Sequence, residues 1–457
     1  METAQTPWIE STLQNGTHDE LIELFLDAHP ADLAEALDEL DDERWDEVLQ
    51  VMPPGVFSAL IEHLPAIDAV DHLQKSSKEY RQEALSYLAD DELVDLLQEL
   101  PEEEREDYVT LLPDSKKQKS RKLLAFPEES AGGRMTTDIA TLPENMTVRE
   151  AIEKLAEVKE TTELLSRIYV VDERNRLLGK LRLRDLTFNP RDTEIREVMD
   201  QDLLSIDAFA DQEEAARMIM RYDLMALPVV NPDLQVLGVV THDDAMEILE
   251  EESTEDIEKL SGIQASAPDK TYTRTSVLGH FQRRAGWVVT MAFLAIASGF
   301  VLYNFEHVLG QLAILALYIP MVVAAGGNTG SQSATMVIRA MSLGEFNPKD
   351  FLEVIWKEIR IGALLGSVVG ICIFVQIQVI QFGDIPETVN LFLVACVVGM
   401  ALMFQIITST LLGASLPLLA KLVNADPAVV ASPIITTVVD VTGLLIYFGL
   451  AKLMLGI

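Results

Sequence analysis

Five apolar stretches dominate the last part of this chain, near 286–304, 310–337, 354–381, 389–420 and 428–451, and each is long enough to cross a bilayer. The fifth contains Asp440 at about its middle, where a carboxylate costs roughly 2.5 to 3.5 kcal/mol on insertion scales. An acid at that depth is a hypothesis about an ion pathway.

The formal charge of −38 sits outside these stretches. Residues 1–270 hold 64 of the 73 acidic groups against 26 Lys and Arg, and residues 271–457 carry nine of each sign. A strongly acidic half therefore precedes a neutral membrane half. Nucleic acid is excluded as a partner because its phosphates would be repelled, whereas cations suit an acidic region beside a pore. Cys372 and Cys396 both lie in apolar stretches and read as small hydrophobes, with no disulfide framework. The acidic, polar start of the chain predicts no cleavable signal.

Basic residues flank the stretches unevenly. Arg274, Arg283 and Arg284 precede the first; Arg339, Lys349, Lys357 and Arg360 surround the turn between the second and third; Lys421 lies between the fourth and fifth. The loops 304–310 and 383–389 contain no Lys or Arg, so the positive-inside rule places the acidic half in the cytoplasm and the C-terminus outside.

Residues 1–132 repeat short amphipathic segments such as "HPADLAEALDEL" and "LADDELVDLLQEL", with prolines closing the units, as in an all-α helical superhelix. Residues 133–250 form a tandem repeat with a period near 64, about 133–195 and 196–250, each copy running strand, helix, paired strands, helix. "LPVV" and "LGVVTHDDA" carry a resemblance to a pair of α/β CBS regulatory modules. Residues 243–270 form a connecting segment. Its start, "HDDAMEILEEESTEDIE", holds no Lys or Arg and puts Asp244, Glu247, Glu251 and Glu255 on one helical face. A self-repelling helix of this kind, joined directly to the five-helix transmembrane domain at 271–457, suits a lever as well as a solvated linker.

Two membrane segments carry the chemistry. In "IPMVVAAGGNTGSQSATMVIRA", Pro320, Gly326, Gly327 and Gly330 predict an unwound stretch lined by Asn328, Thr329, Ser331, Gln332 and Ser333. In "DPAVVASPIITTVVDVTG", Asp426 lies near the cytoplasmic end, and Ser432, Thr436 and Asp440 follow at helical spacing. All of these donors are hard oxygens, which suit Mg²⁺, Ca²⁺ or Mn²⁺ over zinc or copper. By contrast, Gly362, Gly366 and Gly370 of "GALLGSVVG" read as a close-packing face.

"GGNTGSQSATMVIRA" and "DPAVVASPIITTVVDVTGLLIYF", downstream of an acidic helical region, a CBS pair and "EEESTEDIEKL", resemble the MgtE family of magnesium channels from about residue 20 to the end. That resemblance implies a homodimer in the lipid bilayer, with a pore along the subunit interface and a selectivity site at Asp440, lined by Thr436, Ser432, Asn328, Gly326 and Gly327. It further implies a plug helix at about 243–262 and cytosolic Mg²⁺ ligands at Asp91, Asp95, Asp211, Glu213, Asp223, Asp244, Glu247, Glu252, Glu255 and Asp256, with Asp426 at the pore. Co²⁺ and Mn²⁺ are the competing cargo ions. Arg167 and Leu224 stand where a CBS pair could stack an adenine on an aromatic ring, which argues against nucleotide binding. The expectation is a Mg²⁺-selective channel, not an enzyme, closed by Mg²⁺ on its acidic half. The alternative is a carrier that couples H⁺ or Na⁺ to divalent cation movement.

Overall fold

The computed structural model describes residues 6–38, 40–158, 167–264, 275–342, 344–346, 350–380, 390–423 and 425–456. It divides into two compact units, one running to Glu252 and the other beginning at Ser253.

The first unit opens with short helices from α1 (Thr6–Asn15) to α10 (Asp114–Leu123). Each is too short to persist alone and depends on burying one apolar face. α8 (Asp90–Glu99) buries Leu93, Val94, Leu96 and Leu97, and a continuous core from Ile9 to Leu112 gathers these faces around Trp45 and Phe57. The prolines start helices here rather than closing them. Pro53, Pro65, Pro101 and Pro113 are N-caps, while Pro30 and Pro54 are first helical residues, where a missing N–H leaves no bond unmade.

The repeat follows. β1 (Ala140–Pro143) pairs in parallel with β2 (Arg167–Val171), which pairs antiparallel with β3 (Leu177–Arg182); α11 (Val148–Val158) and α12 (Leu183–Phe188) flank them. After the short α13 (Ile195–Val198), β4 (Ile206–Asp207), α14 (Gln212–Tyr222), β5 (Ala226–Val230) and β6 (Val236–Thr241) reproduce the arrangement. Both copies shift register at the same point, Val170/Val171 and Val229/Val230, so the repeat extends to local irregularity. α15 (His242–Leu260) leaves β6 directly, and its first ten or so residues belong to this unit.

The second unit holds α16 (Val277–Leu294), α17 (Ile296–Asn304), α18 (Glu306–Gln311), a 3₁₀ turn at Ala313–Tyr318, α19 (Ile319–Ser342), α20 (Phe351–Val379), α21 (Leu391–Leu422) and α22 (Pro427–Leu455). Among the described residues, five helical spans are long and apolar enough to cross a membrane: 277–304, 313–342, 351–379, 391–422 and 434–455. α21 is the most enclosed, and α19, α20 and α22 pack on it.

One expectation fails. α19 runs unbroken through Gly326, Gly327 and Gly330, and the irregular stretch precedes it as the 3₁₀ turn. The glycines instead permit close helix approach. A Cβ on Gly326 would lie 2.3 Å from Gln405 Nε2, and one on Gly330 would lie 2.7 Å from Ser409 Oγ. The expected close-packing face does form: Cβ atoms on Gly366 and Gly370 would come within 2.8 Å of Met403 O and 2.6 Å of Gly399 O on α21.

Candidate ion pathway and its acidic regulator

α22 begins at Asp426, whose Oδ1 accepts from Ala428 N at 2.8 Å and so caps the helix. From there the helix rises past Thr436, which meets Gly327 of α19, and Thr437, whose hydroxyl lies 3.6 Å from Met291 Sδ of α16. Asp440 follows, half-buried. Its Oδ1 is enclosed and accepts no hydrogen bond among the described residues, and no ion pair among them reaches it. A carboxylate oxygen left unpartnered inside an apolar bundle is costly. Asn328 is exposed on α19, Gly326 is buried and Gly327 half-buried. The side chain of Ser432 lies outside the described residues.

Sequence reasoning passed over the residues that hold this arrangement. Gln405 of α21, fully buried, donates through Nε2 to Val439 O at 2.8 Å, one residue before Asp440. Ser409, one turn further on, donates to Gly326 O. Glu358 of α20, also buried, accepts from Ser333 Oγ at 2.8 Å. The signal was available for Gln405 and Ser409, a polar pair at i, i+4 in an otherwise apolar stretch.

The cytosolic acids expected to bind Mg²⁺ fall into separate groups. Asp95 on α8 and Asp244 and Glu247 on α15 come together around Arg134, which pairs with Asp95 at 3.4 Å and Glu251 at 2.5 Å and donates to Gln212 Oε1 at 2.9 Å. Burial first, then mutual repulsion, drives these carboxyls upward: Glu92 to about 8 and Glu247 to about 7. Asp95 rises to about 6, as burial outweighs the Arg134 guanidinium. Asp244 also rises by burial, although it caps Thr241 N at 2.8 Å. Asp91 is buried in the first turn of α8. Glu252 accepts from Gln212 Nε2 at 2.7 Å, tying α15 to α14.

Asp211 caps α14, and Glu213 pairs with Arg217. Asp223, at the far end of α14 with φ 50°, lines a cavity of about 240 Å³ together with Arg167, Tyr169, Lys180, Arg182 and Leu224. In the second unit Glu255 pairs with Lys259 at 2.6 Å, and Asp256 is half-buried beside it. Among the described residues no three His, Cys, Asp or Glu side chains converge into a ready-made metal shell. Of the expected sensor acids, Asp95, Asp244 and Glu247 are thus brought together in the first unit without forming a closed site, and Arg134 and Glu92 join them unforeseen.

A helical acidic domain, a CBS pair and a five-span membrane domain with an unpartnered mid-membrane carboxylate define a divalent cation transporter. The family described by that phrase matches residues 319–450, the MgtE intracellular N domain matches 28–129, and CBS domains match 131–190 and 195–251. The chain is 34% identical to the magnesium transporter MgtE of Thermus thermophilus, over 100% of this chain and 99% of that one. It is 32% identical to the magnesium transporter MgtE of Bacillus subtilis, over 96% and 98%. A solved cytosolic domain of the Mg²⁺ channel MgtE in complex with ATP superposes with a TM-score of 0.51 at 32% identity, over 53% of this chain and 99% of that one. The chain belongs to the MgtE family, a family of magnesium transporters and not of enzymes.

Proposed function

We propose that this chain is a Mg²⁺ channel in which Asp440 selects the ion, α19 and α22 line the path, and the acidic half closes it when cytoplasmic Mg²⁺ is high. The observation that carries this reading is the enclosed Asp440 Oδ1, which has no hydrogen-bond partner among the described residues. One carboxylate per chain is few for a divalent ion, so two copies related by a twofold axis supply the pair, holding a hydrated Mg²⁺ by outer-shell contacts. The first span, scarcely buried within its own chain, leaves apolar surface for a second copy or lipid. Co²⁺ and Mn²⁺ are rival cargo, separated by the fit of a hydrated ion.

Residues 1–132 and 133–250 act as the sensor, 243–270 as the plug and 271–457 as the pore, with the sensor on the cytoplasmic side. A divalent ion moving inward gains about 4.6 kcal/mol per 100 mV, twice the unit-charge value, so the path needs a brake and no ATPase. The brake is electrostatic. Mg²⁺ bridging Asp91, Asp95, Asp244, Glu247 and their neighbours relieves the repulsion among these carboxylates, and its loss lets them separate. About 5.5 kcal/mol of differential binding turns a gate from mostly open to mostly closed, which several weak sites supply together.

A nucleotide, which Arg167 and Leu224 argued against in the sequence, becomes a second regulator in this reading because Tyr169 lines the same cavity. The cavity at Asp223 offers Arg167, Lys180 and Arg182 for phosphates, and Tyr169 provides an aromatic side chain among its lining residues.

Single-channel recording in a planar bilayer tests the channel reading. Mg²⁺ currents that persist without a pH or Na⁺ gradient, and lose inhibition by cytoplasmic Mg²⁺ when residues 1–270 are removed, support it. Flux that needs either gradient supports the coupled carrier instead.

A further inference from the structure

The C-terminal end of α15 packs against the start of α22 and the inner end of α19. Leu260 packs into a buried cluster formed by Ala334 and Ile338 of α19 and Ile435 and Val439 of α22. Gln264 N donates to Arg283 O at 3.0 Å, Arg283 Nε donates to Gln264 O at 3.3 Å, and the Arg283 guanidinium pairs with Glu258. At the centre of this contact Lys259 Nζ lies 2.8 Å from Asp426 Oδ2 and 2.6 Å from Glu255 Oε1.

This lysine is the first base after a run of acids beginning at Asp243, and it arrives where that run meets the start of α22. Its three charges are partly shielded, with side-chain exposures of 22% for Lys259, 34% for Glu255 and 35% for Asp426. Asp426 has one oxygen on the helix N-terminus and the other on the ammonium. The ammonium thus occupies the second oxygen while the plug is docked, and its flexible four-carbon stem lets it withdraw when the helix lifts.

We propose that Lys259 is a tethered cation that clamps the plug helix onto Asp426, so that part of the closing force is built into the chain and does not depend on bound Mg²⁺. The proposal rests on the plug closing the pore, as argued above, and adds that its first contact is made by an ammonium. Arg283 with Glu258 steadies the helix beside it. When the plug lifts, Lys259 leaves with it and the Asp426 carboxylate becomes available to cations passing that end of α22.

The test uses the full-length protein with Lys259→Gln and Lys259→Arg. In EDTA, hydrogen exchange of residues 253–264 in nanodiscs reads the docking directly. Wild type and Lys259→Arg are expected to stay protected, and Lys259→Gln to exchange faster. In proteoliposomes, the cytoplasmic Mg²⁺ that halves the flux is expected to rise about fivefold for Lys259→Gln, the scale of a partly exposed ion pair, and to return towards wild type with Arg. Unchanged exchange in EDTA overturns the clamp, as does a half-closing concentration that stays fixed or falls; a fall would mean that the lysine competes with Mg²⁺ instead of replacing it. Wild-type flux that ignores cytoplasmic Mg²⁺ defeats the gating reading, and the exchange measurement then still decides the clamp.

Discussion

Gln405 donates its side-chain amide to the Val439 carbonyl at 2.8 Å, and Val439 immediately precedes Asp440. The amide also lies where Cβ atoms on Gly326 or Gly443 would stand, 2.3 and 2.7 Å from Nε2. One buried side chain therefore sets the spacing of α19, α21 and α22 at the level of the proposed selectivity site. Gln405→Leu removes the hydrogen bond, a loss of about 1 kcal/mol. It also adds a branched carbon against two glycines. Mg²⁺ uptake into proteoliposomes is expected to fall several-fold with assembly preserved on size exclusion.

The glycine contacts make a sharper comparison. A Cβ on Gly413 would stand 2.3 Å from Gly330 O, a backbone atom that cannot swing aside, whereas one on Gly449 meets nothing within 4 Å. Gly413→Ala should lower the melting temperature in detergent by an amount corresponding to about 1 to 3 kcal/mol, and Gly449→Ala should leave it unchanged.

These residues also mark the limit of what could be read from the chain alone. The five spans, the helical repeats and the strand order of the CBS pair follow from periodicity, because burial on one face imposes it. Gly326, Gly327 and Gly330 support two opposite readings, since small residues both permit unwinding and let helices touch; only the partner at Gln405 and Ser409 decides. Asp440 stands out in its span because charge at that depth is costly. Lys259 and Arg134 do not stand out at all: a lone base in an acidic chain gains its meaning from which carboxylates the fold brings to it.

Arg134 joins Asp95 of α8, Gln212 of α14 and Glu251 of α15 within the first unit. Removing it leaves Asp95 and Glu251 repelling each other at a half-buried position, and breaking a partly shielded ion pair costs about 1 kcal/mol. Arg134→Gln is expected to lower the melting temperature of the cytosolic fragment in EDTA and to raise the Mg²⁺ needed to restore it. An unchanged melting curve would show that the guanidinium carries no structural load.

The raised carboxyls set a pH dependence of definite sign. Glu92 at about 8, Glu247 at about 7 and Asp95 at about 6 bind protons more tightly folded than unfolded. The folded state is then favoured below the ordinary carboxylate range, and that advantage is lost as pH rises through the folded values, up to about 8. The metal-free cytosolic fragment should melt at progressively lower temperature from pH 5 to about pH 8, and millimolar Mg²⁺ should remove most of that slope. A melting temperature that climbs with pH would contradict the arrangement.

Asp440 is the centre of the account, and Mg²⁺ uptake into proteoliposomes at low cytoplasmic Mg²⁺ tests it most directly. Asp440→Asn keeps the size of the side chain and removes the charge. The account predicts that this variant folds, assembles as the unaltered chain does and loses Mg²⁺ flux almost completely. Flux that survives in a well-folded Asp440→Asn protein would contradict it and place ion selection elsewhere.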